Sequence, residues 1–178
     1  MQVKPKEPHD GQRPFVGALA IVLAALAFAA CGKDSADGPS SPAVGSAFRS
    51  RALAVCDAAF EMKEAQGPFP YPDFNPTQPD PSKLPEIAPF LAKTATTFDT
   101  WEREMKALGQ PPSGQAAWAE LVQAVEDHAR IAAEQAAAAE RGDTETFTKD
   151  YYEGTHTQPE LLKAANDAGV PECARVDR

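Results

Sequence analysis

Apolar residues recur at helical spacing in four blocks between Ala47 and Ala168, and no stretch alternates as a half-buried strand would. In Ala47–Gln66, Phe48, Ala52, Val55, Ala59 and Met62 follow one another at steps of four and three, with Leu53, Cys56 and Phe60 widening the face. Gly67 and Pro68 end that block. Residues 82–108 carry the clearest signal: Leu84, Ile87, Leu91, Thr94, Phe98, Trp101, Met105 and Leu108 alternate steps of three and four, the seam of helices crossing at small angles. Pro85 suits a first turn, whereas Pro89 predicts a bend or a later start. Gly109 and Pro111-Pro112 close it.

A third helix is predicted from an N-cap at Ser113 to about Arg141, with Trp118, Leu121, Val125, Ala129, Ala132, Ala136 and Ala139 inward. Its alanine-rich second half allows a close neighbour. Gly142 supplies a stop and Asp143 an N-cap for a fourth helix to about Ala168, marked by Phe147, Tyr151, Leu161, Ala165 and Ala168. Gly154 and Pro159 predict a kink or break in its middle. So short a connection turns the fourth helix back along the third. The expected class is all-α, an antiparallel four-helix bundle with a long proline-rich loop between helices 1 and 2.

That loop, Gly67–Pro81 (GPFPYPDFNPTQPDP), holds too many residues without an N–H to be helix or inner strand. Its Phe69, Tyr71 and Phe74 either pack over the end of the domain or form a recognition surface, as aromatic polyproline segments do.

The region before the bundle has a different pattern. Lys4, Lys6 and Arg13 precede an uncharged run, Phe15–Ala30, of sixteen residues. A spanning helix needs about twenty apolar residues, and a signal peptide about 7–15 behind positive charge and before small residues. Residues 1–30 therefore read as a signal peptide, with an uncleaved anchor helix or a buried core helix as alternatives. The end of the run, Leu26-Ala27-Phe28-Ala29-Ala30-Cys31-Gly32, resembles the lipobox of bacterial lipoproteins, with Phe28 where that motif usually has Leu. The resemblance implies that Cys31 is acylated, carries palmitate, and becomes the first residue of a mature protein anchored to the cell membrane by lipid. Residues 31–46, rich in Gly, Ser and Pro, then read as a flexible tether, and 47–178 as the bundle domain.

Charge narrows the partners. The chain is −9 overall, and residues 1–30 carry three positive and two negative charges, which leaves the remainder at −10. No Lys/Arg cluster stands out, so binding to nucleic acid through phosphates is not expected. Cysteine usage adds a staple. With Cys31 lipid-modified in an oxidising compartment, Cys56 and Cys173 remain as a pair expected to form a disulfide. Free thiols or a metal site are the alternatives, and the latter lacks any CxxC.

Cys56, Pro111-Pro112, Gly142-Asp143 and the ending Ala168-Gly169-Val170-Pro171-Glu172-Cys173-Ala174 together resemble small secreted or lipid-anchored helical proteins of actinobacteria. The resemblance spans about Ala47–Ala174. It implies a helical bundle with a disulfide and no catalytic residues. The aromatic-proline loop is longer than that group leads one to expect.

Chemistry finds little purchase. CxxCH and Gly-x-Ser-x-Gly are both absent. Glu102/Glu104 and Glu126/Asp127 sit one or two apart on helices and point in different directions. One Glu-x-x-His (Glu153, His156) occurs where a di-iron bundle needs two copies. His128, Met62 and Met105 are placed on or near inner faces, where they fill core as readily as they ligate haem. The expectation is therefore a lipid-anchored, extracytoplasmic binding protein without enzymatic activity or cofactor. Its partner would be a protein, an envelope component or a small apolar ligand, met through Phe69, Tyr71 and Phe74. The rival expectation is a metal- or haem-binding bundle using His128, His156 and Glu153.

Overall fold

A computed structural model of the chain describes residues 44–177. The predicted signal peptide, Cys31 and residues 31–43 of the tether lie outside the described residues. Four helices form: α1 (Ser46–Gln66), α2 (Leu84–Ala107), α3 (Gln115–Glu140) and α4 (Thr144–Asp167), followed by a 3-10 segment, Pro171–Asp177. Among the described residues there is no strand, and the helices pack as a bundle. The most extensive packing is of α2 on α3 and of α3 on α4, while α1 meets α2 and the 3-10 segment. Contacts join α3 to α4 along their length: Arg130 meets Glu153, and Ile131 lies beside Gly154. Further along, Glu120 is an electrostatic neighbour of Lys163, and Glu134 of Asp150.

The α2 seam is realised. Leu84, Ile87, Phe98, Trp101 and Met105 are buried, and Leu91, Thr94 and Leu108 are half-buried. Pro85 occupies the first turn, and Pro89 sits exposed inside the helix without delaying its start. At the α3–α4 turn, Gly142 takes φ 67° and the Asp143 carboxylate accepts the Thr146 N–H at 3.1 Å, the expected stop and cap. The cap hydrogen bond holds the Asp143 carboxyl below its ordinary pKa.

Four expectations need correction. Ser113 does not cap α3: Gly114, at φ 68°, holds the N-cap position, a left-handed conformation that costs glycine little. Met62 is not inward but 37% exposed. The buried stripe on α1 runs Phe48, Ala52, Cys56, Ala59 and on toward Gln66, whose amide donates to the Phe90 carbonyl at 2.6 Å. A 3.6-residue helix drifts from a strict 3.5 repeat, which carries Met62 off the face. The break in α4 is not observed, since one helix runs through both Gly154 and Pro159. Side chains bond carbonyls in the turn before the proline, Thr157 Oγ1 to Gly154 at 3.1 Å and Thr155 Oγ1 to Tyr152 at 2.8 Å. Finally, the packed chain starts earlier than Ala47: Val44 is buried and its N–H donates to the Ala168 carbonyl.

Two core clusters result. The larger joins Phe48, Ala52 and Cys56 of α1 to Trp101, Met105, Trp118, Leu121 and Val125, and to Leu161, Ala165, Val170 and Cys173. Phe48 and Trp118 meet edge to face at 4.7 Å. Cys56 and Cys173, both fully buried, are disulfide-bonded with Cα atoms 5.2 Å apart. Arg49 ties the same end together, donating to the Gly169 carbonyl at 2.7 Å and to Glu172 at 2.9 Å. The smaller cluster, Leu84, Ile87, Ala88, Ala138, Ala139 and Phe147, lies under the proline-rich loop.

Candidate functional site

The loop aromatics pack down. Phe69 touches Phe90 edge to face at 5.2 Å, Phe74 touches Phe147 at 5.8 Å, and Phe69 bridges to Tyr71 and Phe74. Tyr71 Oη donates to Glu86 at 2.9 Å, which raises the phenol's pKa, and Glu86 also binds Lys83. All three rings are half-buried. The outer edges of Tyr71 and Phe74, with Pro72, Asp73 and Lys83, border a shallow depression of about 230 Å³.

A second place holds polar groups that the fold leaves unmatched. Between α2, α3 and α4 runs a groove of about 320 Å³. Phe98, Ile131 and Ala132 supply its apolar surface, and His128 and Asp150 its buried polar groups. The same wall includes Gly154, which lacks a side chain to fill it. Thr94, Gln135, Tyr151, Thr155 and Gln158 complete the lining.

Helical register brings these residues together. Asp150 is three residues after Phe147, and Gly154 follows four later, so both sit on the stripe that leads to Leu161. His128 follows the buried Val125 by three. Asp150 is 1% exposed, and neither carboxylate oxygen receives a hydrogen bond among the described residues. Lys149 Nζ lies 3.8 Å from Oδ1, beyond hydrogen-bond reach, on a side chain 70% exposed. Burial, with Glu134 and Glu153 nearby, raises the Asp150 pKa above its ordinary value, while Lys149 and Arg130 pull it down.

His128 is 7% exposed. Its Nδ1 lies 2.9 Å from the Ala124 carbonyl, which can only accept, so Nδ1 carries the hydrogen. In the neutral ring Nε2 is then an acceptor, and it too has no partner among the described residues. The ring stacks obliquely on Phe98, with centroids 5.9 Å apart. Trp101 Nε1 is also buried and unpaired, but Trp101 does not line the groove.

The residues considered for metal or haem are not brought together. Glu153 is held by Arg130 at 2.6 Å, which depresses its pKa. His156 is exposed and bonded to its own helix at the Tyr152 carbonyl. Met105 is buried in the core, whereas Met62 is exposed. Among the described residues no three His, Cys, Asp or Glu side chains surround a common point, and none of their helices is long and apolar enough to cross a membrane.

His128, expected on or near an inner face, is buried there, whereas the burial of Asp150 is not anticipated, because a polar residue on an amphipathic stripe reads as its edge. The available signal was position: Phe147, Asp150, Gly154 and Leu161 keep helical step. Comparison with protein-family models, curated proteins and solved structures finds no significant match to this chain.

Proposed function

We propose that the protein is a lipid-anchored binding protein outside the cytoplasmic membrane, held by Cys31, with a ligand seated in the groove between α2, α3 and α4. The supporting observation is that His128 Nε2 and the Asp150 carboxylate, both buried and unmatched, belong to residues lining the same groove. An unmatched buried acceptor costs about 1–3 kcal/mol, and more when charged. A fold bears such a cost most readily where a ligand supplies the missing donors. The sequence favours binding without chemistry on the ligand, since no nucleophile arrangement accompanies the pair.

Two measurements test the reading. Palmitate labelling should appear in the wild-type chain and vanish in Cys31→Ser, which should leave the membrane fraction. Native mass spectrometry of the full chain purified from its membranes should show a retained small molecule that a groove-filling Gly154→Leu variant lacks. Identical spectra for the two proteins would refute the groove as the binding site.

A further inference from the structure

We infer that the groove binds a small organic amine, its ammonium group on the Asp150 carboxylate and its apolar body against Phe98, Ile131 and Ala132. This rests on the proposed groove as the ligand site and names the ligand's chemistry.

Three observations carry it. First, both unmatched groups can accept: an ionised carboxylate has no hydrogen to give, and in the neutral ring the Ala124 carbonyl fixes the His128 hydrogen on Nδ1 and leaves Nε2 a lone pair. The ligand must therefore bring donors. Second, Asp150 is 1% exposed, and of its two cationic neighbours Lys149 stands 3.8 Å away at the rim while Arg130 is held by Glu134 and Glu153, so the donor it favours is charged. Third, two liganding groups are too few for the three or four protein ligands a transition metal takes, and no third His, Cys, Asp or Glu joins them among the described residues. The apolar lining between them suits a hydrocarbon chain rather than a bare ion.

The spacing adds a prediction. Glu134, an α3 neighbour of Asp150, lies six residues beyond His128 on the same helix. Arg130, a second α3 neighbour of Asp150, lies two residues beyond His128, so by helical rise the two acceptors stand at levels about 3–9 Å apart along the bundle. A chain with a donor at each end spans both better than one with a single donor. The acidic domain, −10 beyond residue 30, also draws cations toward its surface.

The test is calorimetric titration of the full chain in nonionic detergent with pentylamine, 1,5-diaminopentane, pentan-1-ol and pentanoate. Both amines should bind, the diamine at least tenfold more tightly, while alcohol and carboxylate give no heat. Asp150→Asn should weaken amine binding at least tenfold. His128→Phe should abolish the advantage of the diamine over the monoamine. Gly154→Leu should bind neither, and a thermal melt as cooperative as that of the wild type shows that it folds. Equal binding of alcohol and amine, or full binding by Asp150→Asn, overturns the assignment. Retention of a cell-derived ligand by wild type but not by Gly154→Leu, with no amine bound, overturns the amine and leaves the groove standing. No ligand of either kind overturns both.

Discussion

The end of the bundle clamped by Cys56–Cys173 and the groove in its middle use the same helices in opposite ways. At the clamped end, α3 presents Trp118, Leu121 and Val125 to α1 and α2, and the chain's last turns are tied back by a disulfide and by Arg49. Within the next two turns of α3, His128 and Ile131 face a cleft that the opposing helix leaves open at Gly154. One region is apolar and closed, and the other is polar and incompletely filled. The comparison suggests that stability is concentrated at one end so that the middle can carry unmatched polarity, a division common at functional sites.

The largest way to break this contrast is to open the clamp. The disulfide spans a sequence separation of 117 residues. Loop-closure entropy for a ring of that size is worth about 4–5 kcal/mol. The Cys56→Ser/Cys173→Ser protein, or the wild type with reductant, should lose stability on that scale in urea titration. A loss below about 1 kcal/mol would show that the end is held by packing alone. Mass spectrometry without reductant should find the two cysteines linked.

Truncations sharpen the contrast more directly. Leu121 is fully buried in the closed end, and Leu121→Ala should cost about 3–5 kcal/mol, because its neighbours cannot collapse into the space. Ile131, 4% exposed, faces the groove on one side. Ile131→Ala should cost about 2 kcal/mol, since part of its surroundings is already open. Equal losses by denaturant unfolding would mean that the groove is packed as firmly as the end.

How far this contrast was legible in the sequence depends on what each region is made of. The closed end follows from periodicity: Trp101 and Met105 fall on an apolar seam, and Trp118, Leu121 and Val125 on another. Turn chemistry was equally plain, since Gly142 and Asp143 do at the α3–α4 turn what their types dictate. The groove was not plain, because it is defined by tertiary placement. Asp150 is a residue type that almost never buries alone, so its place in step with Phe147 and Leu161 reads as the edge of the stripe. The loop aromatics show the converse. Phe69, Tyr71 and Phe74 read either as rings packed over the end of the domain or as a recognition surface, and the end of the bundle provides Phe90 and Phe147 for them to pack on.

Charge offers a subtler probe of the groove. Folding raises the Asp150 pKa, so the folded state holds the proton more tightly than the unfolded chain does. In the window between the ordinary value of 3.8 and the raised one, the folded form carries more protons, and stability falls as pH rises. The penalty is absent below 3.8 and complete once pH exceeds the raised value. Asp150→Asn removes it, and should stabilise the protein by about 1 kcal/mol at neutral pH. The gain should narrow as the medium is acidified toward pH 4, read from melting midpoints across a pH series. An Asn variant less stable than wild type at neutral pH would mean that Asp150 is matched in solution. The opposite tie, Arg130 to Glu153, depresses the glutamate's pKa and is lost on acidification, so the comparison is made between variants at each pH rather than along one curve.

The smallest expected effect isolates the groove from everything else. Gly154 lies inside α4, and a methyl group there would meet only Ile131 Cγ2, at an ordinary 3.6 Å. Alanine in a helix interior is favoured over glycine by about 0.8–1 kcal/mol, so Gly154→Ala should raise the melting midpoint slightly. The added methyl projects into the groove wall, and the same variant should bind any groove ligand less well. Stability up with affinity down is a combination that a purely structural reading of Gly154 does not produce. If the glycine were there only through relaxed selection on the helix, the midpoint would rise and binding would stay the same. A fall in both would show that α4 and α3 approach more closely at this level than 3.6 Å allows, and that the glycine serves helix packing.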